Sequence, residues 1–436
     1  MSRSKRGGLP PGPRLPAVVQ TVLWAVAPVR FGKACLARYG PLFTMRIVGF
    51  GDTVYVCTPE LIHKILRDED GMFDAAVANK SIKFVVGEHS LLLSGGATHA
   101  ERRRLLMQPL HGSNVGEYVD LMETIVEQEI RAWQPGSTVR LLEVFQRVTL
   151  EVMIRAVFGI SDSTRLHRLR ELVPKLLDIN PAIIVLPWLR RSFGGFGPWA
   201  KLQSVLRAVD EIILAEIADR RAAPTEGRDL LSILLRDEKF ELSARELRDH
   251  LVTLLAVGQE TTATQLAWFF ERVLRAPREF ERIEAEVAEG NWAFLEAAIH
   301  EAVRIRPTTM DIGRVGTARW ESGGHVFPAG TMFAVSLGLL HLSPDLHANP
   351  DRYSVGRFFP AEPPAAHFRP FGGGAHRCLG ASLAMVEMRT IISAILRHVR
   401  LNPSTVDAER VTPKGPMLLP GRGAEVVVVE NALAEK

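Results

Sequence analysis

A single cysteine in a glycine-rich turn, directly before a helix-like run, constrains this chain more than any other feature. Residues 371–380 read FGGGAHRCLG, and the next residues read ASLAM. A turn of this kind points backbone N–H groups at one sulfur, which favours the thiolate and metal binding. Zinc and iron–sulfur sites need more cysteines than this region holds, whereas heme iron needs only one axial protein thiolate. The turn predicts a heme ligated by Cys378; the alternative is a buried free cysteine at a tight strand-to-helix turn.

The spacing of Phe371, Gly374, Cys378 and Gly380 resembles the cysteine-ligand loop of the cytochrome P-450 family, the heme-thiolate monooxygenases. The resemblance extends over nearly the whole chain and is to the soluble bacterial type. It implies a mainly α fold with minor β structure, in which a large helical lobe and a smaller β-rich lobe surround one buried heme b. It also implies that Phe371, Gly372 and Gly380 contact the cofactor and that Cys378 ligates its iron.

Composition and charge are those of an ordinary globular enzyme. Hydrophobic residues make up 47% of the chain and charged residues 23%, which allows a large core. The three cysteines form no disulfide framework, so we expect a reducing, cytoplasmic location. The net charge is +4, but acidic and basic residues are interspersed, which argues against nucleic-acid binding. A mildly basic protein suits a dianionic heme and an acidic electron carrier.

The motifs described below lie in both halves of the chain, so we expect one domain over residues 1–436. Residues 1–14 are expected to be a flexible N-terminal segment and residues 15–30 a surface helix. This apolar helix contains Pro16 and Pro28 and is too short to span a bilayer, so no transmembrane span is predicted. It either contacts lipid peripherally or packs on its own core.

The chain is predicted to be helical in its middle and to contain strands near both ends. Residues 42–48 and 53–57 flank a glycine-rich turn and predict a β-hairpin. Residues 59–277 show apolar positions at helical spacing. Residues 326–333 and 425–429 are β-prone.

A long, largely buried helix is predicted over residues 247–274, with unusual residues at its centre. Residues 258–262 read GQETT, and a glycine, a carboxylate and two hydroxyls are costly inside a buried helix. Such a cost indicates a functional site. The threonines could bond back to carbonyls four residues earlier, so a local bulge beside Gly258 would open a groove against a ligand.

This stretch resembles the distal-helix motif of the same family. The resemblance implies that Thr261 hydrogen-bonds dioxygen, that Glu260 relays protons from solvent, and that Gly258 lies against the cofactor. The alternative for Glu260 is an ion pair with a neighbouring helix. Val257 departs from the smaller residues common in relatives and would narrow the substrate side of the groove.

Glu301 and Arg304 lie three residues apart on a helix that ends before Pro307. Together with Arg357 they resemble the Glu–Arg–Arg triad of the family, whose implied role is to hold the chain that presents the cysteine loop. The alternative is an exposed ion pair worth a few tenths of a kcal/mol.

Two heme propionates require cationic partners. His99 and Arg103 are four apart on a predicted helix and share a face. They match a His, three residues, Arg variant of bacterial relatives, and Arg314 and His376 occupy the other propionate-contact positions that the resemblance implies.

An apolar substrate chamber is also implied, with residues 181–188 as a lid or, alternatively, a core or interface patch. The predicted lining consists of Phe84, Val85, Leu254, Val257, Met310, Asp311, Ile312 and Met417, with Asp311 as a polar anchor and Met310 as a flexible one.

These features predict a monooxygenase that inserts one atom of O2 into an apolar small molecule. No flavin, nicotinamide or ferredoxin fingerprint occurs, so electrons are expected from a separate ferredoxin and its NAD(P)H-dependent reductase. The protein is expected to be a monomer. The alternatives are a peroxide-driven heme-thiolate oxygenase, a heme-thiolate isomerase or dehydratase, and a non-catalytic heme sensor or carrier.

Overall fold

Helices dominate this computed structural model, as the sequence predicts. The structure describes residues 8–110, 116, 118–160, 162–180, 183–184, 186–191, 194–224, 226–227, 229–236 and 242–434. The helices are α1 (Ala17–Val26), α2 (Pro28–Tyr39), α3 (Pro59–Arg67), α4 (Ala75–Ala78), α5 (Lys83–Val86), α6 (Gly96–Met107), α7 (Val119–Ile130), α8 (Leu141–Phe158), α9 (Ser163–Leu177), α10 (Pro198–Ala222), α11 (Leu230–Arg236), α12 (Ala244–Val273), α13 (Pro277–Ala288), α14 (Ala293–Ile305), α15 (Leu337–His341) and α16 (Ala381–His398).

The strands form small sheets, and the main one lies outside the helical core. They are β1 (Leu42–Ile47), β2 (Gly51–Val56), β3 (Phe73–Asp74), β4 (Thr138–Arg140), β5 (Asp311–Gly316), β6 (Trp320–Ser322), β7 (His325–Phe327), β8 (Met332–Ser336), β9 (Val399–Pro403), β10 (Val411–Lys414), β11 (Met417–Pro420) and β12 (Glu425–Asn431). The main sheet has the order β1-β2-β8-β5-β3, and its pairs are antiparallel except for β2 with β8. The predicted hairpin of β1 and β2 is confirmed.

Helix α12 runs through the centre of the helical lobe. Ser243 and Glu246 form a capping box at its start, which satisfies backbone N–H groups that the first turn leaves free. Trp268, Phe269 and Phe270 are fully buried in its second half, where α12 packs against α8, α14 and α16. The predicted helix over residues 247–274 therefore exists, with its start three residues earlier.

The N-terminal part differs from the flexible segment that the sequence predicted. Pro11 accepts a hydrogen bond from the Thr44 N–H at 3.0 Å, and Gly8 accepts one from the Val326 N–H at 3.3 Å. The sheet thus holds the chain from Gly8 onward, whereas residues 1–7 lie outside the described residues. The predicted helix over residues 15–30 is two helices, because Pro28 begins α2.

Among the described residues, one helical stretch is long and apolar enough to cross a bilayer. It is Gly374–His398, which contains α16, and 61% of its most apolar window is buried inside the protein. We interpret it as a core helix, because its apolar residues pack against other helices of the chain.

Candidate heme site

The cysteine turn is shaped by close backbone packing. The Cys378 N–H donates to the Phe371 carbonyl at 2.9 Å, which closes the turn before α16. A Cβ at Gly374, where φ is +66°, would lie 1.7 Å from the Leu66 carbonyl oxygen, so only glycine fits. A Cβ at Gly380 would meet no atom within 4 Å, so this side of the turn is open.

The electrostatics of Cys378 differ from the sequence expectation. Cys378 is exposed on the open side of the turn, yet the protein atoms around its thiol raise the pKa above the usual value, while the Gly380 N–H and the charges of Arg103 and Arg377 act in the opposite direction. The turn alone does not favour the thiolate. A bound metal cation would supply the missing stabilisation, because metal binding displaces the thiol proton.

Four cationic or ionisable side chains, those of His99, Arg103, Arg314 and His376, lie beside the cysteine turn. The rings of His99 and His376 have centroids 3.9 Å apart, and Arg314 is 5% exposed. Burial, together with the charges of Arg103 and Arg314, lowers the pKa of His99; burial and its neighbours His99, Arg314 and Arg103 lower that of His376 to about 4. The positive charges of Arg103 and Arg314 thus disfavour protonation of both histidines.

This cluster fits the two carboxylates of heme. Burial lowers the pKa of Arg103 and of Arg314, and neither forms an ion pair with a carboxylate among the described residues. Arg314 is buried, and the nearby Asp68 and Asp74 offset only part of the cost of burying its charge, so the arrangement suits an anionic ligand. Cys378 on the same turn would hold the iron, while His99, Arg103, Arg314 and His376 would hold the propionates.

The predicted triad is assembled and buried. Arg304 donates to both carboxylate oxygens of Glu301 at 2.6 and 2.8 Å, and Arg357 Nε lies 3.3 Å from Glu301 Oε2. Glu301 also accepts the Ser354 N–H at 3.0 Å, and both Glu301 and Arg304 have 0% exposed side chains. The alternative of an exposed ion pair is excluded. Arg304 further donates to the His341 carbonyl at 2.8 Å, which ties α14 to α15.

At the centre of α12 the two threonines bond back along the helix. The Thr261 hydroxyl donates to the Val257 carbonyl at 2.8 Å and the Thr262 hydroxyl to the Gly258 carbonyl at 3.3 Å. The helix is continuous here, so the predicted bulge is not observed. A Cβ at Gly258 would lie 2.8 Å from Met153 Cε, so this glycine accommodates the packing of α8.

Glu260 faces a large charged cavity between α7, α8, α9 and β10. The cavity has a volume of about 680 Å³. Glu260 Oε1 lies 3.7 Å from Lys414 Nζ and 3.5 Å from Gln146 Nε2. Burial raises the pKa of Glu260, and Lys414 opposes the rise. The alternative for Glu260 was an ion pair with a neighbouring helix; the cation that the described residues place beside it is Lys414, on strand β10.

The predicted substrate residues fall into two groups. Val257 is 41% exposed, and Ile312 lies next to the cysteine turn, with its Cδ1 3.7 Å from a Cβ built on Gly372. Leu254 and Met417 are buried in the helical core. Phe84 packs edge-on against Trp199, and Val85 is buried.

Two other predicted substrate residues point elsewhere. The Asp311 carboxylate accepts a hydrogen bond from the Ser336 hydroxyl at 2.5 Å and is also bonded to Tyr55 and Trp24, while burial raises its pKa to about 6. Met310 packs in the sheet-side core against Gly338. Asp311 points away from the cysteine turn because its strand neighbour Ile312 lies toward that turn, and adjacent strand residues point to opposite faces.

In the predicted lid, Pro181, Ala182 and Val185 lie outside the described residues. Arg190, just beyond it, donates to the carbonyls of Ile183 and Ser81 at 2.9 and 3.3 Å and lies over the Phe84 ring at 4.5 Å. These contacts join the predicted lid to the segment that carries Phe84.

Sequence reasoning missed Glu387 and Lys414. Glu387 on α16 is 1% exposed; burial raises its pKa to about 8, opposed by a hydrogen bond with Thr262. Its position on the otherwise apolar face of α16 is a sequence pattern that indicates a buried carboxyl group. Lys414 carries no local signal, because it meets Glu260 only through the fold.

Comparison with known proteins identifies the family of the chain. The model of the cytochrome P450 family matches residues 10–428. Cytochrome P450 135B1 of Mycobacterium bovis is 38% identical over 98% of this chain and 93% of its own length. Cytochrome P450 138 of Mycobacterium tuberculosis is 33% identical over 96% of both chains.

Solved structures show the same fold. A retinoic acid-bound cyanobacterial CYP120A1 has a TM-score of 0.85 and 23% identity, and covers 97% of this chain and 99% of its own. The heme domain of cytochrome P450DA has a TM-score of 0.84 and 21% identity, over 98% of both chains. Fold and site define a heme-thiolate enzyme. The chain belongs to the cytochrome P450 family and is a monooxygenase that takes heme, O2, a small-molecule substrate and electrons from redox partners.

Proposed function

We propose that this enzyme hydroxylates an unactivated C–H bond, or epoxidises a double bond, of an apolar small molecule. One oxygen atom of O2 enters the substrate, and the other leaves as water with two electrons and two protons. When bound, heme b supplies the O2-binding and redox chemistry, with a thiolate ligand that favours O–O cleavage. Cys378 holds the iron, Arg103 and Arg314 neutralise the propionates, and His99 and His376 contact them as hydrogen-bond donors. Phe371, Gly372 and Gly380 shape the turn beside the cofactor.

The observation that carries this proposal is the pairing of Glu260 and Thr261 on α12. The Glu260 side chain is 12% exposed and lines the 680 Å³ cavity. A carboxyl with a raised pKa in such a place is suited to take protons from water and release them inward. Thr261 positions dioxygen by donating a hydrogen bond from its hydroxyl, which must rotate away from the Val257 carbonyl to which it donates in this structure.

Electrons come from a separate ferredoxin and its NAD(P)H-dependent reductase, a partnership that the net charge of +4 supports. We place the enzyme in the cytoplasm as a monomer. The exposed aliphatic side chains of α1, including Val18 at 65% and Val26 at 62%, support peripheral contact with a membrane surface.

A first experiment screens an apolar compound library for ligands that shift the heme spin state. With such a substrate, Thr261→Ala is expected to release more of the consumed O2 as hydrogen peroxide. Glu260→Gln should slow product formation about 100-fold, because it removes the proton donor. Thr124→Ala is the control, since Thr124 makes the same i−4 hydrogen bond on the exposed face of α7.

If both site variants keep wild-type coupling, Glu260 and Thr261 do not handle oxygen. If the wild type instead turns over at full rate with peroxide and gains nothing from electron donors, the peroxide-driven alternative is correct.

A further inference from the structure

Lys414 connects two carboxylates from different parts of the helical lobe. Its Nζ lies 3.7 Å from Glu260 Oε1 on α12 and 3.5 Å from Asp178 Oδ1, directly after the end of α9. The lysine side chain is 43% exposed and Asp178 is 76% exposed, whereas Glu260 is 12% exposed. The ammonium group of Lys414 therefore lies near both a buried carboxylate, Glu260, and a solvent-exposed one, Asp178.

Most of the other charged side chains around the cavity form ion pairs with one another. Glu151 binds Arg155 and Arg170 at 2.6 and 2.7 Å, and Arg147 binds Glu129. Among the described residues, Lys414 is the one cation that forms an ion pair with Glu260. The titratable groups that face this cavity are Glu129, Glu143, Arg147, Glu151, Arg155, Arg170, Glu260 and Lys414, with Asp178 beside them.

The strand pair that carries Lys414 also reaches the predicted substrate side. Lys414 is the cross-strand partner of Met417 in the β10–β11 hairpin. Met417 forms a β-bridge with Thr309, and the Leu418 N–H donates to the Thr308 carbonyl at 2.9 Å. The Trp268 indole on α12 donates to the Leu418 carbonyl at 2.7 Å. The hairpin is therefore anchored to α12 at one strand and presents Lys414 on the other.

We propose that Lys414 is a positioning residue of the proton relay and that Glu260 and Asp178 compete for its ammonium group. The position of the C-terminal end of α9, which carries Asp178, then determines whether Glu260 is ionised or protonated. When Lys414 lies on Glu260, the carboxylate is held ionised and oriented toward the cavity. When Lys414 instead pairs with Asp178 at the end of α9, Glu260 loses its cationic partner and takes up a proton from water in the cavity.

This inference rests on the proposed function, but its physical basis makes a separate prediction. Lys414 lowers the pKa of Glu260 and Asp178 raises it, while burial raises it most. Removing the lysine and removing the aspartate must therefore shift the titration of Glu260 in opposite directions. A purely structural role for these exposed side chains would give no such pair of opposite shifts.

The test is an infrared titration of the heme-loaded protein. The C=O stretch of protonated Glu260 is assigned as the band that Glu260→Gln removes, and its midpoint is followed in each variant. Lys414→Met should move the midpoint to higher pH and Asp178→Asn to lower pH. Each should change the ratio of protonated to ionised Glu260 at fixed pH by about threefold, since solvent screens part of the attraction.

Lys414→Arg should restore the wild-type midpoint, and Lys201→Met, an exposed lysine on α10, should leave it unchanged. The proposal is overturned if both variants leave the midpoint in place or shift it in the same direction. The titration needs no turnover, so it tests the role of Lys414 separately from the proposed function. If only the proposed function is wrong, the midpoints shift as expected but the site variants leave product formation unchanged.

Discussion

Replacing Glu301 with glutamine tests the buried ion network that supports the cysteine turn. Glu301 accepts two hydrogen bonds from Arg304, one from the Ser354 N–H, and lies 3.3 Å from Arg357 Nε. Glutamine keeps the shape of the side chain but leaves two guanidinium groups without a carboxylate. Because the pair has no solvent exposure, we expect the free energy of unfolding to fall by about 3–5 kcal/mol.

The assay is equilibrium urea unfolding of the holoprotein, followed by far-UV circular dichroism and by heme absorbance. Glu321→Gln is the matched control, because Glu321 and Arg319 form an exposed ion pair with 63% and 69% exposed side chains. This control should change stability by about 0–1 kcal/mol. If Glu301→Gln and Glu321→Gln cost the same, the triad is not a buried support for the site.

Two further predictions concern buried ionisable groups. Arg314→Met should stabilise the apoprotein, because it removes a buried cation whose carboxylate neighbours, Asp68 and Asp74, form no ion pair with it among the described residues. The same variant should weaken heme retention, whereas Arg319→Met should do neither; a stabilised holoprotein would contradict the propionate role. Glu387 binds a proton in the folded state up to a pKa of about 8, whereas the unfolded chain releases it near 4.5, so stability should fall as pH rises from about 4.5 to 8. Glu387→Gln should flatten that fall in urea midpoints measured at pH 6 and pH 8, and an unchanged slope would show that Glu387 is ionised in the fold.

Local sequence patterns were enough to predict the central helix, the Glu301–Arg304 pair and the cysteine turn. The apolar spacing on α12 predicted its existence and burial, since a helix that crosses a core is apolar around most of its surface. The spacing of Glu301 and Arg304 predicted a shared helix face, and the cysteine turn predicted Cys378 as the ligand. Resemblance to the family then joined Arg103, Arg314 and His376 to that turn.

Features that depend on distant partners could not be predicted. Gly258 accommodates Met153, which belongs to another helix, so its sequence neighbourhood could not reveal that contact. Asp311 and Ile312 are adjacent, and which one faces the cofactor depends on the side of the sheet that the fold covers. The ion pair between Lys414 and Glu260 likewise exists only once the hairpin has docked beside α12.

The central claim is that the sulfur of Cys378 is the protein ligand of heme iron. The direct test is the absorption spectrum of the reduced, carbon monoxide-bound holoprotein. Our account predicts the red-shifted Soret band of thiolate ligation, and its loss in Cys378→His with heme still bound. A wild-type spectrum typical of imidazole ligation in freshly prepared protein, or an unchanged band in the Cys378→His variant, would contradict it.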